Sequence, residues 1–150
     1  MAESRSSSFS ERQLALYLEE YYELADLIFR FGALLTLSRE GGERIVDETF
    51  ALLVADFVNI KTSANPTFIL MSLAWKAWRK VSDEKFHEWD LPILKSMKSL
   101  YVNQRAILFA LEVAGLDLRE ASSVFGGDEH ANRSDLAEAN RFLALNEIRT

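Results

Sequence analysis

The spacing of the apolar residues is the feature that most limits what this chain can fold into. Along nearly the whole sequence they recur three and four positions apart, which is the spacing of one face of an α-helix. Only two prolines and six glycines interrupt the 150 residues. Because a half-buried strand would instead alternate with a period of two, we predict an all-α protein without a sheet.

The first predicted helix runs from Glu11 to about Leu37 and follows a polar leader, residues 1–10. Ser10 can cap this helix, and Gln13 three residues later completes a capping-box pattern. One continuous apolar stripe fits it, formed by Leu14, Leu18, Tyr21, Leu24, Ile28, Phe31 and Leu35. A stripe of this length predicts that one face of the helix is buried.

Two further helices are predicted before the middle of the chain. The second begins within residues 38–42, where two glycines weaken helix propensity, and ends near Asn59. For the third, Asn65 can serve as N-cap and Pro66 as the first helical residue, so we expect this helix to continue to Lys80.

A charged and aromatic segment, residues 82–90 (SDEKFHEWD), is predicted to be a linker between two helical units. Four short helices are expected after it, over residues 91–98, 101–114, 118–125 and 129–145. Several residues mark the ends of these helices: Gly115, Gly126 and Gly127 as terminators, Asp117 with Glu120 as a capping box, and Asp128 as a cap. The last three helices and their tight turns have the helix-turn-helix layout.

Composition and motifs give little support to an enzymatic function. The chain has no cysteine and a net charge of −6, which disfavours thiol chemistry and a general attraction to phosphates. A Glu84-x-x-His87 spacing occurs once, without the second pair that a di-iron bundle needs. We therefore expect no enzymatic activity, metal, cofactor or small-molecule substrate, and a cytoplasmic, non-membrane protein.

Two separated blocks of sequence resemble the extracytoplasmic-function sigma factors of bacteria. The first, FRFGALLTLSREGGERIVDETFALLVADF (residues 29–57), is similar to the family's region 2. The second, LYVNQRAILFALEVAGLDLREASSVFG (residues 100–126), is similar to its region 4. The resemblance implies a region 2-like unit over residues 11–81, a linker over 82–90, and a region 4-like helix-turn-helix unit over 91–150.

The last helix departs from the sigma-factor pattern. At the position of the family's DNA-reading helix, residues 128–145 carry two basic and four acidic side chains, a sum of −2, where the family has several basic residues. A helix in the major groove lies near phosphates, so DNA binding is not expected. The degenerate recognition helix is defined by Asp128, Glu129, Arg133, Asp135, Glu138 and Arg141.

This loss resembles the sigma-like output domain of general-stress-response regulators of the PhyR type, although the 150 residues hold no pattern for their receiver domain. The resemblance implies partner switching: the domain binds an anti-sigma factor of the NepR type and so releases the true sigma factor. We expect the anti-sigma factor to lay an amphipathic helix across grooves between the two units.

Candidate partner-binding residues follow from that expectation. They are either exposed apolar residues that could anchor a partner helix or acidic residues of the second helix: Glu43, Asp47, Glu48, Phe50, Val54, Phe57, Phe68, Trp75, Trp78, Ile107, Leu108, Leu111 and Val124. Large apolar residues at helical spacing are more often core than interface, and acidic ones often lie on a solvated face. Both interpretations remain open for each residue.

Two alternative functions fit the same sequence. The first is an active extracytoplasmic-function sigma factor that binds core RNA polymerase and promoter DNA, which a local charge of +3 over residues 76–105 favours. The second is a helical interaction protein unrelated to transcription, if the two resembling blocks arise by chance.

Overall fold

The computed structural model describes the backbone of residues 2–56 and 65–149. It describes the side chains of residues 12, 15, 16, 19, 22–56 and 65–144. These parts of the chain are all-helical, and their helices are α1 (Ala2–Thr36), α2 (Arg39–Ala55), α3 (Pro66–Val81), α4 (Pro92–Met97), α5 (Val102–Glu112), α6 (Leu118–Phe125) and α7 (Glu129–Arg149). The all-α prediction is confirmed.

Helix α1 begins at Ala2 rather than at Glu11, so the segment predicted to be a polar leader, residues 2–10, is helical. This segment contains neither proline nor glycine, and a helix that is already formed can extend through such residues at little cost. The predicted end of α2 near Asn59 lies outside the described residues.

The first unit consists of α1, α2 and α3, which pack against one another. Glycines allow α1 and α2 to approach closely: a Cβ atom at Gly32 would lie 2.7 Å from the Cβ of Ile45, and one at Gly41 would overlap the side chain of Thr36. The glycines that weaken α2 propensity therefore serve helix packing.

The predicted cap of α3 is also present, since Asn65 Oδ1 accepts a hydrogen bond from the Thr67 amide.

The second unit consists of α4 to α7. Its helices begin within one residue of the predicted positions, but α5 ends at Glu112 rather than at residue 114 and α7 continues to Arg149 rather than ending near residue 145. Asp117 and Glu120 form the reciprocal capping box of α6. Gly126 and Gly127 both have positive φ angles, at 79° and 78°, and close that helix. Asp128 Oδ1 then accepts a hydrogen bond from the Ala131 amide in the first turn of α7. The second unit thus contains a helix-turn-helix.

The two units share one hydrophobic core. Four aromatic rings meet where α1 and α3 pack against α5 and α6, with Phe31 5.2 Å from Phe109 and Trp75 4.9 Å from Phe125 between ring centroids. Helix α5 lies between α1, α6 and α7, and seven consecutive residues of it, 104–110, are buried. Because a helix exposed on one side cannot bury such a run, α5 is surrounded by both units.

The segment between α3 and α4 is irregular from Ser82 to Leu91 and contains the predicted linker, residues 82–90. It is attached to the end of α1. The Trp89 amide donates a hydrogen bond of 3.0 Å to the carbonyl of Leu37, and the Trp89 ring packs edge-on against Phe29. Leu37 itself has a positive φ of 56°, an uncommon conformation for leucine. This attachment brings the linker alongside the second half of α1.

Candidate partner-binding groove

A largely apolar groove lies between the two units and has a volume of about 630 Å³. Its lining comes from α1, the linker, α4, α5 and α7: Asp26, Phe29, Arg30, Ala33, Leu34, Trp89, Leu91, Ile93, Leu94, Met97, Leu108, Phe109, Glu112, Val113, Asn140 and Leu143. Four of these sixteen residues are polar or charged, so the groove is suited to apolar side chains. It lies between the units, where we expect an amphipathic helix to bind.

Two exposed apolar residues lie at the rim of the groove. Ile93 is 64% exposed and Val113 is 51% exposed, and both line the groove. Leaving such side chains in water forgoes about 25 cal/mol for each Å² of apolar surface that a partner could cover. The polar lining residues include an exposed ion pair within α1, Arg30 with Asp26 at 2.9 Å. The groove therefore has an apolar floor and rim with charges at its edges.

Most of the apolar residues predicted to bind a partner lie in the core instead. Trp75, Ile107 and Leu108 are buried. Partly buried residues packed against the core are Phe50, Phe68, Trp78, Leu111 and Val124. Val54 is 47% exposed on α2, and Phe57 lies outside the described residues. Of the predicted residues that the structure describes, only Leu108 lines the groove, because the sequence pattern shows that a helix face is apolar but not what covers it.

The predicted acidic residues of α2 separate into two kinds. Glu43 and Asp47 are exposed, and Glu43 forms an exposed ion pair with Arg39 at 3.5 Å. Glu48 is instead buried between α2 and α3, where its carboxylate accepts hydrogen bonds from Lys80 Nζ at 2.6 Å and Arg44 Nη1 at 2.9 Å. The Lys80 hydrogen bond, followed by that of Arg44, lowers the pKa of Glu48. The structure thus gives Glu48 a role in joining α2 to α3, and its predicted partner contact stays a prediction.

The charges of α7 are distributed unevenly around the helix. Asn132, Leu136 and Ala139 contact the rest of the unit. The opposite face is exposed and, at helical spacing, consists of His130, Arg133, Ser134, Ala137 and Arg141. The predicted acidic residues lie beside this face: Asp128 caps the helix, and Glu138 accepts a hydrogen bond from Gln104 Nε2 at 2.9 Å. Glu129 is exposed beside it, and Asp135 is half-buried nearer the packed side of the helix. The sum of −2 therefore does not describe the outward face of residues 130–141, which carries two arginines and no acid.

The linker and α4 contribute residues to the groove that were not among the predicted partner-binding residues. Trp89 lies in the segment that was predicted only to connect the two units, and Leu91, Ile93 and Leu94 lie in the first short helix predicted after it, for which no partner contact was predicted. A usable signal was present, because a large aromatic residue among charges, as in HEWD, is unusual for a linker that contacts nothing. The partner of that tryptophan, Phe29, lies 60 residues earlier and no local pattern identifies it.

Among the described residues, no helix is long and apolar enough to cross a membrane. No group of three or more histidine and acidic side chains is placed to hold a metal ion in that part of the chain either.

Comparison with known proteins identifies the fold. No protein-family profile matches the sequence, and no curated protein is significantly similar to it. Among solved structures, the sigma factor RpoE of Bartonella quintana, determined in complex with the anti-sigma factor NepR, is similar to this chain with a TM-score of 0.71 at 17% sequence identity. The match covers 89% of this chain and 98% of RpoE. The chain therefore has a sigma-factor-like, all-helical fold.

Proposed function

We propose that this protein is a sigma-factor-like regulator of bacterial transcription that binds a NepR-like anti-sigma factor through the groove between its units. The observation that carries the proposal is the position of the groove, whose walls come from both units of a sigma-like fold. An amphipathic helix fits because its apolar stripe could cover Ile93 and Val113 while its polar face meets the charged edges. The protein would act in the cytoplasm and without enzymatic activity.

In this proposal the protein is a mimic that competes for the anti-sigma factor and so releases a true sigma factor during the general stress response. Support comes from residues 128–145, whose two arginines are fewer basic residues than the sigma-factor pattern has at this position. The similar RpoE was itself determined in complex with NepR. Competition requires only the surface that an anti-sigma factor recognises, and it does not require promoter contact.

An active sigma factor is the second candidate, and one observation favours it. The outward face of α7 presents Arg133 and Arg141 to solvent without an intervening acid. Arginines on one exposed face can contact phosphates, although two such contacts supply only a modest part of specific DNA binding. Transcription from a promoter in a reconstituted assay with core RNA polymerase would establish this candidate and exclude the mimic.

The binding site is tested by calorimetric titration with the NepR-like protein of the same organism. Val113→Asp places a charge at the apolar rim of the groove, and we expect it to weaken binding at least about tenfold, which corresponds to about 1.4 kcal/mol. Val54→Asp is the matched control, since that valine is similarly exposed on α2 and does not line the groove. Equal loss for the two variants, or loss for Val54→Asp alone, would contradict the proposed site. No binding by the unaltered protein would contradict the proposed function.

A further inference from the structure

Arg105 is a buried cation that none of the preceding roles uses. It is 7% exposed and lies in α5, the helix that both units surround. Among the described residues, no carboxylate lies within ion-pair distance of its guanidinium, and burial lowers its pKa. Because an uncompensated buried charge is costly, its surroundings must supply strong hydrogen-bond acceptors.

Those acceptors are backbone carbonyls of both units. Nε donates to the carbonyl of Leu34 and Nη2 to that of Leu35, each at 2.9 Å, and Nη1 donates to the carbonyl of Leu100. Leu34 and Leu35 belong to the last turn of α1, whose carbonyls have no partner within the helix and carry the negative end of the helix dipole. Three oriented peptide dipoles thus take the place of a carboxylate as the partner of the guanidinium.

The local structure of α1 explains why these two carbonyls are available. The Ser38 amide donates to the carbonyl of Ala33 at 3.2 Å, across Leu37 in its positive-φ conformation, which is one of the two hydrogen bonds of a Schellman C-cap. This hydrogen bond occupies the carbonyl of Ala33 and leaves the carbonyls of Leu34 and Leu35 to accept hydrogen bonds from the second unit. Arg105, about 70 residues later in the chain, completes the end of the helix.

We propose that Arg105 is the positioning residue that holds the two walls of the groove in register. The α1 wall includes Leu34, whose carbonyl Arg105 binds, and the α5 wall begins at Leu108, one turn after Arg105 on the same helix. A planar fork with donors in fixed directions sets both the separation and the rotation of the two helices, whereas apolar packing alone tolerates sliding. This role goes beyond the proposed function, since it concerns the free protein whatever binds in the groove.

The absence of cysteine makes the proposal directly measurable. Spin labels at Glu23→Cys on α1 and Ser134→Cys on α7, both exposed positions, report the distance between the units by double electron–electron resonance. We expect one narrow distribution for the otherwise unaltered protein. Arg105→Met should broaden the distribution and shift it to longer distances. Arg105→Lys should broaden it less than Arg105→Met, because an ammonium group still binds some of the carbonyls, although fewer than the guanidinium does. Arg119→Met, which removes an exposed arginine from α6, is the control and should leave it unchanged.

The variants are compared below their melting temperatures, with helicity followed by circular dichroism. A residue that only stabilises the fold would lower the melting temperature and leave the distribution of the folded protein unchanged, and that result would overturn the proposal. If Arg105→Met does not fold, Arg105→Lys decides: a broadened distribution supports the role of the fork, and an unaltered one overturns it. The test needs no anti-sigma factor, so its failure is separate from a failure of the proposed function.

Discussion

The two units of this protein are stabilised in different ways. The first has long helices that approach closely at glycines and a buried carboxylate that joins α2 to α3. In the second, α4 to α6 have only 6, 11 and 8 residues, and the buried cluster of its own, formed by Leu100, Leu108 and Ala139, is small. Helices this short are marginal in isolation. The second unit therefore depends on the first, which provides the other side of α5.

The largest effect is expected from Phe31→Ala, which removes a fully buried ring that contacts Phe109 and Phe125 across the junction. We expect the free energy of unfolding to fall by about 3 to 5 kcal/mol. Because the units share this core, amides of α2 and α6 should lose hydrogen-exchange protection together.

Phe142→Ala is the matched control, since this half-buried ring packs on the small cluster of the second unit. This substitution should lower the free energy of unfolding by less than Phe31→Ala does, and it should leave the hydrogen-exchange protection of α1 to α3 unchanged. If Phe31→Ala lowered protection in the first unit alone, the claim that the second unit depends on the first would be wrong.

An intermediate effect is expected from Glu48→Gln, which tests the buried carboxylate that joins α2 to α3 through Arg44 and Lys80. Loss of the paired carboxylate should lower stability by about 1 to 2 kcal/mol at pH 7. Because the folded-state pKa of Glu48 is lowered, this stabilisation is present above the unfolded-state pKa of about 4.3 and is lost as the pH falls further.

Denaturant unfolding of the two proteins from pH 7 to pH 3 checks this prediction, with Glu43→Gln as the exposed control. The difference between the unaltered protein and Glu48→Gln should shrink at low pH. If the difference in the free energy of unfolding stayed constant from pH 7 to pH 3, the charge of the Glu48 carboxylate would not be the source of the stabilisation.

The smallest effect is expected from Asp117→Ala, which removes the N-cap of α6 and its hydrogen bond of 2.8 Å to the Glu120 amide. We expect a loss of about 1 kcal/mol. Thermal unfolding measures it, and exchange should increase first in α6. Ser82→Ala, whose exposed hydroxyl lies at the C-terminal end of α3, should change stability far less. A comparable loss from both substitutions would argue against the cap.

Local features of the fold could be predicted from the sequence. The start of α3 at Pro66, the bounds of α6 and the turn glycines follow from capping and backbone preferences, which act over a few residues. The burial of α5 on all sides could not be predicted, because its seven buried residues include Gln104 and Arg105 and the partners that cover them are distant in sequence. The groove was missed for the same reason, since Trp89 and Phe29 meet only in the folded protein.

The claim that the groove between the units is the binding surface is tested most directly by methyl chemical-shift mapping. The NepR-like protein of the same organism is added to the isotope-labelled protein, and the methyl signals of Leu34, Ile93 and Val113 are compared with that of Val54. We predict large shifts for the first three, which line the groove, and little change for Val54 on α2. Shifts confined to α2, with the groove methyls unchanged in the bound state, would contradict the account.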